Sequence, residues 1–199
     1  MIRVLLVDDQ TLLRGALATL LRLERDLEVV GEVGDGNEAL AEAARLRPDV
    51  VLLDIQMPGR DGLATVAGLS ALGCRVVMLT TFGKPGYLTR AMASGACGFV
   101  VKDITPEALV DTVRKVHSGL RVVDPMLAAD SLAGGISPLT DREQEILLAA
   151  AGGGTVTDLA RRFSLTEGTV RNHLSAAIGK TGARTRAEAV RIADERGWL

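Results

Sequence analysis

Five side chains stand at the ends of short apolar runs, and their types suit the handling of phosphate. Asp8 and Asp9 follow Val4-Leu5-Leu6-Val7, and Asp54 follows Val50-Val51-Leu52-Leu53. Thr80 follows Val76-Val77-Met78-Leu79, and Lys102 follows Phe99-Val100-Val101. Runs this rich in Val and Leu read as strands buried on both faces of a parallel sheet. In open α/β sheets, reactive groups lie just beyond the carboxyl ends of the strands. The runs therefore aim three carboxylates, one ammonium and one hydroxyl at a shared crevice. Carboxylates held that close repel one another, and a hard divalent cation with oxygen ligands, Mg²⁺, relieves the repulsion. Asp8, Asp9, Asp54 and the main-chain oxygen of Gln56 are the candidate ligands. Asp54 is the candidate nucleophile, because its strand is central and a carboxylate attacking phosphorus gives an acyl phosphate. Lys102 would pair with one phosphoryl oxygen and Thr80 would hydrogen-bond another. The alternative, that these polar groups only cap strand ends, must account for five agreements of position and chemical type.

The elements that position these residues alternate through the first 120 residues. Helical patterns over 10–23, 37–46, 62–72, 87–94 and 105–118 separate the strand runs, with a weaker strand at 28–33. Thr105-Pro106-Glu107 is a helix start, an N-cap followed by Pro at the first helical position. Five βα units predict a five-stranded parallel, doubly wound α/β domain over 1–118. Residues 119–137 hold Pro125, Gly134, Gly135 and Ser137 without sustained periodicity, and read as a linker with a short helix near 125–132. From 138 to 199 the pattern is helical throughout. Thr140-Asp141-Arg142-Glu143 is a capping box. A short helix (157–163), a tight turn at Ser164-Leu165, and a second helix (166–180) rich in Arg, Asn and Ser make a helix-turn-helix in a small all-α domain.

Charge supports that division. Residues 1–137 hold 14 Lys/Arg against 17 Asp/Glu, whereas 138–199 hold 9 against 8. Within 161–191 there are 7 basic residues and 2 acidic ones, a local excess that suits a nucleic-acid face. Arg171, Asn172 and Ser175 share an exposed face of the second helix, where Arg suits guanine and Asn suits adenine in the major groove. Val170 and Leu174 should face the core. Thr169, His173 and Lys180 are assigned to the DNA backbone. Cys74 and Cys97 are too few for a disulfide framework and lack metal spacing. No apolar stretch is long enough for a membrane span, and the early acids Asp8 and Asp9 argue against a signal peptide, so the expected location is the cytoplasm. On the 10–23 helix, Leu12, Leu13, Ala16, Leu17, Leu20, Leu21 and Leu23 cover about 180°, more than the roughly 100° that packing on a sheet needs. The surplus edge, with the 105–118 helix nearby, is a candidate subunit contact.

Asp8-Asp9, Asp54-Ile55-Gln56-Met57-Pro58-Gly59, Thr80 and Phe99-Val100-Val101-Lys102-Asp103 resemble a response-regulator receiver domain. LTDREQEIL, DLARRFSLTEGTVRNHL and TRAEAV resemble the LuxR-type DNA-binding domain. Together they resemble the NarL/FixJ family of two-component regulators over nearly the full chain, and TTFGKPGYLTRAM with ERGWL resembles its DesR-like subgroup, linked to membrane-lipid fluidity. The resemblance implies that Asp54 is the phosphoacceptor, that Asp8 and Asp9 hold Mg²⁺, that Lys102 contacts the phosphoryl group, and that Thr80 and Phe99 are switch residues. It implies a sensor histidine kinase, double-stranded DNA, a second copy of the phosphorylated chain and RNA polymerase as partners, with no membrane. Gln56 and Phe82 occupy the positions that tune hydrolysis in such receivers; neither is a base, so a long-lived phosphoryl group is expected. The chain is then no enzyme beyond accepting phosphate and slowly releasing it. Gly179 inside a helix and Thr181 at a position usually Leu predict a weakened end to the second helix. A phosphatase of the haloacid-dehalogenase type, also built on a strand-end Asp, needs a second acid where Gln56 stands. A constitutive DNA-binding regulator with a silent receiver is the other alternative, against which intact Asp54 and Lys102 argue.

Overall fold

The apolar runs become the inner strands of one parallel sheet in a computed structural model that describes residues 1–55, 57, 62–81, 87–134 and 137–199, with backbone alone at 64 and 130–134. The chain divides into two units, one running to Ala128 and the other from Ala129 onward. In the first, β1 (Ile2–Val7), α1 (Thr11–Arg22), β2 (Leu27–Val33), α2 (Gly36–Leu46), β3 (Val50–Asp54), α3 (Gly62–Ala71), β4 (Arg75–Thr80), α4 (Tyr87–Ala93), β5 (Gly98–Val101) and α5 (Pro106–His117) alternate as expected. Strand order is β2-β1-β3-β4-β5, extended by a sixth strand, β6 (Val122–Val123), and every pairing is parallel. The order reverses between β1 and β3. That places a crevice above the point where helices leave toward opposite faces.

Apolar residues on both faces explain why the runs do not alternate. Leu5, Val51, Leu53, Val76, Met78 and Phe99 pack with α2 and α3 on one side. Val4, Leu6, Val50, Leu52, Val77 and Leu79 pack with α1 and α5 on the other. The sheet has one strand more than the five expected. Residues 119–137, read as a linker, hold β6 and then α6 (Pro125–Gly134). Val122 N–H donates to Cys97 at 3.0 Å and Asp124 N–H to Phe99 at 2.9 Å. Two residues are too few to show a period of two, so this strand has no signature in the sequence. Asp124 then caps α6, its carboxylate accepting from Met126 N–H at 2.8 Å.

The second unit holds α7 (Asp141–Ala151), α8 (Val156–Phe163), α9 (Glu167–Thr181) and α10 (Arg186–Glu195) around Ile146, Leu147, Leu159, Val170, Leu174, Ala177, Ala189 and Trp198. Each helix opens on a threonine cap: Thr140, Thr155, Thr166 and Thr185. The capping box at Thr140 and Glu143 forms as the sequence predicts, and a second forms at Thr155 and Asp158. The helix-turn-helix turn holds Ser164 in the left-handed region at φ 54°. At the end of α9, where Gly179 and Thr181 predict a weakened helix, the helix runs through Gly179, and buried Thr181 donates to the carbonyls of Ala177 and Ile178 at 2.9 and 3.0 Å. Gly182, at φ 71°, then stops it.

Glu143 has a further partner 37 residues away. Its carboxylate accepts from Lys180 Nζ at 2.7 and 2.9 Å and from Thr140 N–H at 2.8 Å. Burial pushes this carboxyl up, but the Lys180 ammonium and Thr140 outweigh it and hold it below the usual range. The bridge ties the last turn of α9 to the start of α7. Lys180→Ala should therefore destabilise the second unit by about 1–3 kcal/mol, by leaving a buried carboxylate short of donors. Trp198, the single tryptophan, reports that unit alone in denaturant titrations followed by fluorescence. Because the folded carboxyl is shifted down, its contribution is complete above about pH 4.5 and fades as pH falls through the lowered value. The gap between the two proteins should narrow on acidification, and a gap constant down to pH 3 would refute the assignment.

Candidate phosphoryl-transfer site and DNA-reading face

At the carboxyl end of the sheet, β1 ends into Asp8 and Asp9, β3 ends on Asp54, β4 on Thr80, and β5 runs into Lys102. Register holds these ends level, with Val7 beside Leu53, Asp54 beside Leu79, and Thr80 beside Val101. Lys102 N–H donates to the Thr80 carbonyl at 2.7 Å and Ile55 N–H to the Leu79 carbonyl at 3.1 Å. Carboxylate oxygens of Asp8, Asp9 and Asp54 lie within 4.8 Å of one another. Asp8 and Asp54 are buried, whereas Asp9 is exposed at the rim. Lys102 Nζ lies 2.8 Å from Asp8 Oδ2 and 2.9 Å from Asp54 Oδ2. The ammonium thus bridges the two buried carboxylates. Burial alone would lower the Lys102 ammonium, yet the two carboxylates hold it above the ordinary lysine range.

Asp8 is fixed from three sides. Its Oδ1 accepts from Gln10 N–H at 2.8 Å, its own N–H donates to Val33, and Arg14 donates to its carbonyl oxygen. Arg14 is a positioning residue that the sequence did not single out. Gly62 is another, since a Cβ there would lie 2.1 Å from the Asp54 carbonyl oxygen. Thr80 and Phe99 are buried, the phenylalanine ring within the core layer that holds Val7 and Met78. Gln56 and Phe82 lie outside the described residues.

The acidic cluster fits a hard cation. Three formal negative charges against one positive leave an excess that a divalent ion balances, and the oxygens are close enough to converge on ligand distances of about 2.0–2.1 Å. Removing the ammonium should expose this. Lys102→Ala leaves two buried carboxylates facing each other and should destabilise the first unit by about 3–5 kcal/mol. Chemical denaturation should show much of that loss returning as Mg²⁺ is added. A loss insensitive to Mg²⁺ would show that the cluster does not hold the ion.

In the second unit, the exposed face of α9 carries Arg171, Asn172 and Ser175, with Val170 and Leu174 buried beneath. Arg171 is held by Glu167, one turn earlier, at 2.7 Å. Thr169 is half-buried and hydrogen-bonded to the Thr166 cap, His173 is half-buried, and Lys180 is committed to Glu143.

Residues 4–114 match the family profile of the response regulator receiver domain, and residues 137–193 match that of bacterial regulatory proteins of the luxR family. The chain belongs to the two-component response regulators. It is similar to YvfU, an uncharacterized transcriptional regulatory protein of Bacillus subtilis (strain 168), at 45% identity over 201 residues, covering all of both chains. It is 40% identical over 199 residues to the transcriptional regulatory protein DesR of the same organism, again over all of both. Among solved structures, the crystal structure of ChrA, the response regulator of a heme-sensing two-component system, matches 100% of this chain and 98% of its own. The TM-score is 0.59 and the identity 32%. This response regulator is thus a transcriptional regulator of the NarL/DesR type, with an α/β receiver and a LuxR-type DNA-binding domain. Among the described residues, no helix is long and apolar enough to cross a membrane.

Proposed function

We propose that this regulator works in the cytoplasm, takes phosphate on Asp54 from a sensor histidine kinase, and then dimerises on double-stranded DNA. The observation that carries this reading is the Lys102 ammonium between the buried carboxylates of Asp8 and Asp54, beside exposed Asp9. Asp8, Asp9, Asp54 and the Gln56 carbonyl would hold Mg²⁺, which supplies charge neutralisation for the phosphoryl oxygens. An Asp54 oxygen attacks phosphorus in line, the bond from phosphorus to the donor imidazole breaks, and the imidazole leaves with the bonding pair. Lys102 then exchanges Asp54 for a phosphoryl oxygen while keeping its contact with Asp8. Thr80 and Phe99 read the new group and shift the receiver between two states.

Exposed apolar residues support the dimer. Leu12 and Ala16 lie on α1 and Leu23 is its C-cap, with Leu12 89% and Leu23 78% exposed, and α1 shares its sheet face with α5. A two-fold pair would place two α9 helices over half-sites about one helical turn apart. Arg171, Asn172 and Ser175 read bases, while Thr169 and His173 contact the backbone; Lys180, expected there too, is given to Glu143 instead. RNA polymerase is the partner downstream.

Asp54→Asn should abolish incorporation of label from acetyl phosphate and Mg²⁺, and should keep the chain monomeric by sedimentation when the wild type dimerises. Wild-type labelling of the variant would move the acceptor elsewhere. A wild type that binds DNA equally with and without phosphate would favour the silent-receiver alternative. Arg171→Ala should cost roughly 1–3 kcal/mol on the preferred duplex and relax one base position. Competition binding against single-base variants measures this, and an unchanged preference would remove Arg171 from base reading.

A further inference from the structure

The base-reading arginine does not stand free. Glu167, the first residue of α9, is the only acid in that helix and one of two acids within 161–191. Its Oε2 accepts from Arg171 Nη2 at 2.7 Å, one turn along the helix. Its Oε1 accepts from the Thr157 hydroxyl of α8, also at 2.7 Å. Thr157 and Arg171 are exposed, and the Glu167 side chain is 42% exposed. The three form a bridge from the first helix of the helix-turn-helix, across the turn, onto the reading face of the second.

We propose that Glu167 is a selectivity-determining positioning residue that acts by holding Arg171. The proposal rests on the reading of Arg171 as a base contact. A free arginine on a basic face pairs with any phosphate it meets, which strengthens binding to every sequence alike. Glu167 counters that in two ways. It occupies Nη2 and offsets part of the charge that a phosphate would seek. It also fixes the orientation of the rest, since a planar guanidinium held through one hydrogen of Nη2 keeps its other Nη2 hydrogen, Nη1 and Nε in set directions. A base edge offering two acceptors, as guanine does, can take the remaining Nη2 hydrogen together with whichever of Nη1 or Nε lies beside it. An arginine already ordered loses less freedom on docking. The Thr157 hydroxyl holds the carboxylate in place, so that it does not swing aside as a duplex arrives. Because the N-terminal end of a recognition helix points at the groove, the fixed negative charge there also repels backbone phosphates that lie out of register.

The test uses the full chain and two duplexes, one selected by the wild type from a randomised pool and one scrambled. Glu167→Gln keeps the shape and removes the charge. It should raise affinity for the scrambled duplex by about 2–5-fold, the scale of one exposed charge, and steepen its salt dependence by up to about one counterion. Affinity for the selected duplex should change by less than about twofold, so the ratio between the duplexes falls. Thr157→Val, which removes only the anchor, should move the ratio in the same direction by less. In an Arg171→Ala background, Glu167→Gln should no longer alter the ratio. Equal gains on both duplexes would overturn the proposal, as would an undiminished effect of Glu167→Gln without Arg171. If Arg171→Ala alone leaves base preference intact, the base-reading assignment fails first. If Arg171→Ala relaxes preference while Glu167→Gln leaves the ratio unchanged, only the role of Glu167 fails.

Discussion

Two buried carboxylates face each other across the carboxyl ends of β1 and β3, with the ammonium of Lys102 bridging them. Like charges this close are tolerated in a low-dielectric crevice when a cation lies between them. The parallel sheet supplies the means, for the reversal of strand order at β1 and β3 sets Asp8 beside Asp54, and β5 brings Lys102 across from two strands away. The arrangement leaves negative charge in excess. A divalent ion and a phosphoryl group are then natural visitors, because each adds what the site lacks or gives the ammonium a new partner. The apolar layers on both faces of the sheet keep water from relaxing the tension in other ways.

The second unit solves a different problem with the same economy of parts. A four-helix unit of this size exposes many helix ends, and four threonines satisfy the first turns of α7 to α10. The Glu143–Lys180 bridge closes the unit from the first helix to the last turn of the third. Pairing charges in this way spends two of the chain's basic side chains, Lys180 and Arg171, on contacts within the domain. The positive face is therefore more structured than its count of basic residues suggests.

Much of this was legible in the residues, because strand-end position and chemical type coincide at Asp8, Asp54, Thr80 and Lys102. The caps at Thr105 and Thr140 were legible too, since the polar residue and the helical period that follows lie close in the chain. What escaped depends on distance in sequence or on shape. The Glu143–Lys180 and Thr157–Glu167 contacts join residues 37 and 10 positions apart, with no periodic signal between them. Gly62 is needed because the Asp54 carbonyl comes close, a property of the folded backbone alone. The two-residue strand β6 falls below the length at which any pattern exists. Gly179 shows context beside propensity: its own propensity is poor, yet the helix continues across it with Ala177 and Thr181 buried on either side.

The ends of the sheet carry a consequence for assembly. One edge is β6, only two residues long, and the other is β2, whose Glu28 and Glu32 are exposed. Short or acid-bearing edges make poor templates for a further strand, and natural sheets use both devices against runaway association. With each border discouraged, a second molecule cannot readily extend the sheet into a continuous ribbon. The dimer proposed through helical surfaces would instead close on itself after two copies and could be undone. If phosphate on Asp54 switches the receiver as proposed, that reversibility would matter more than the strength of the join.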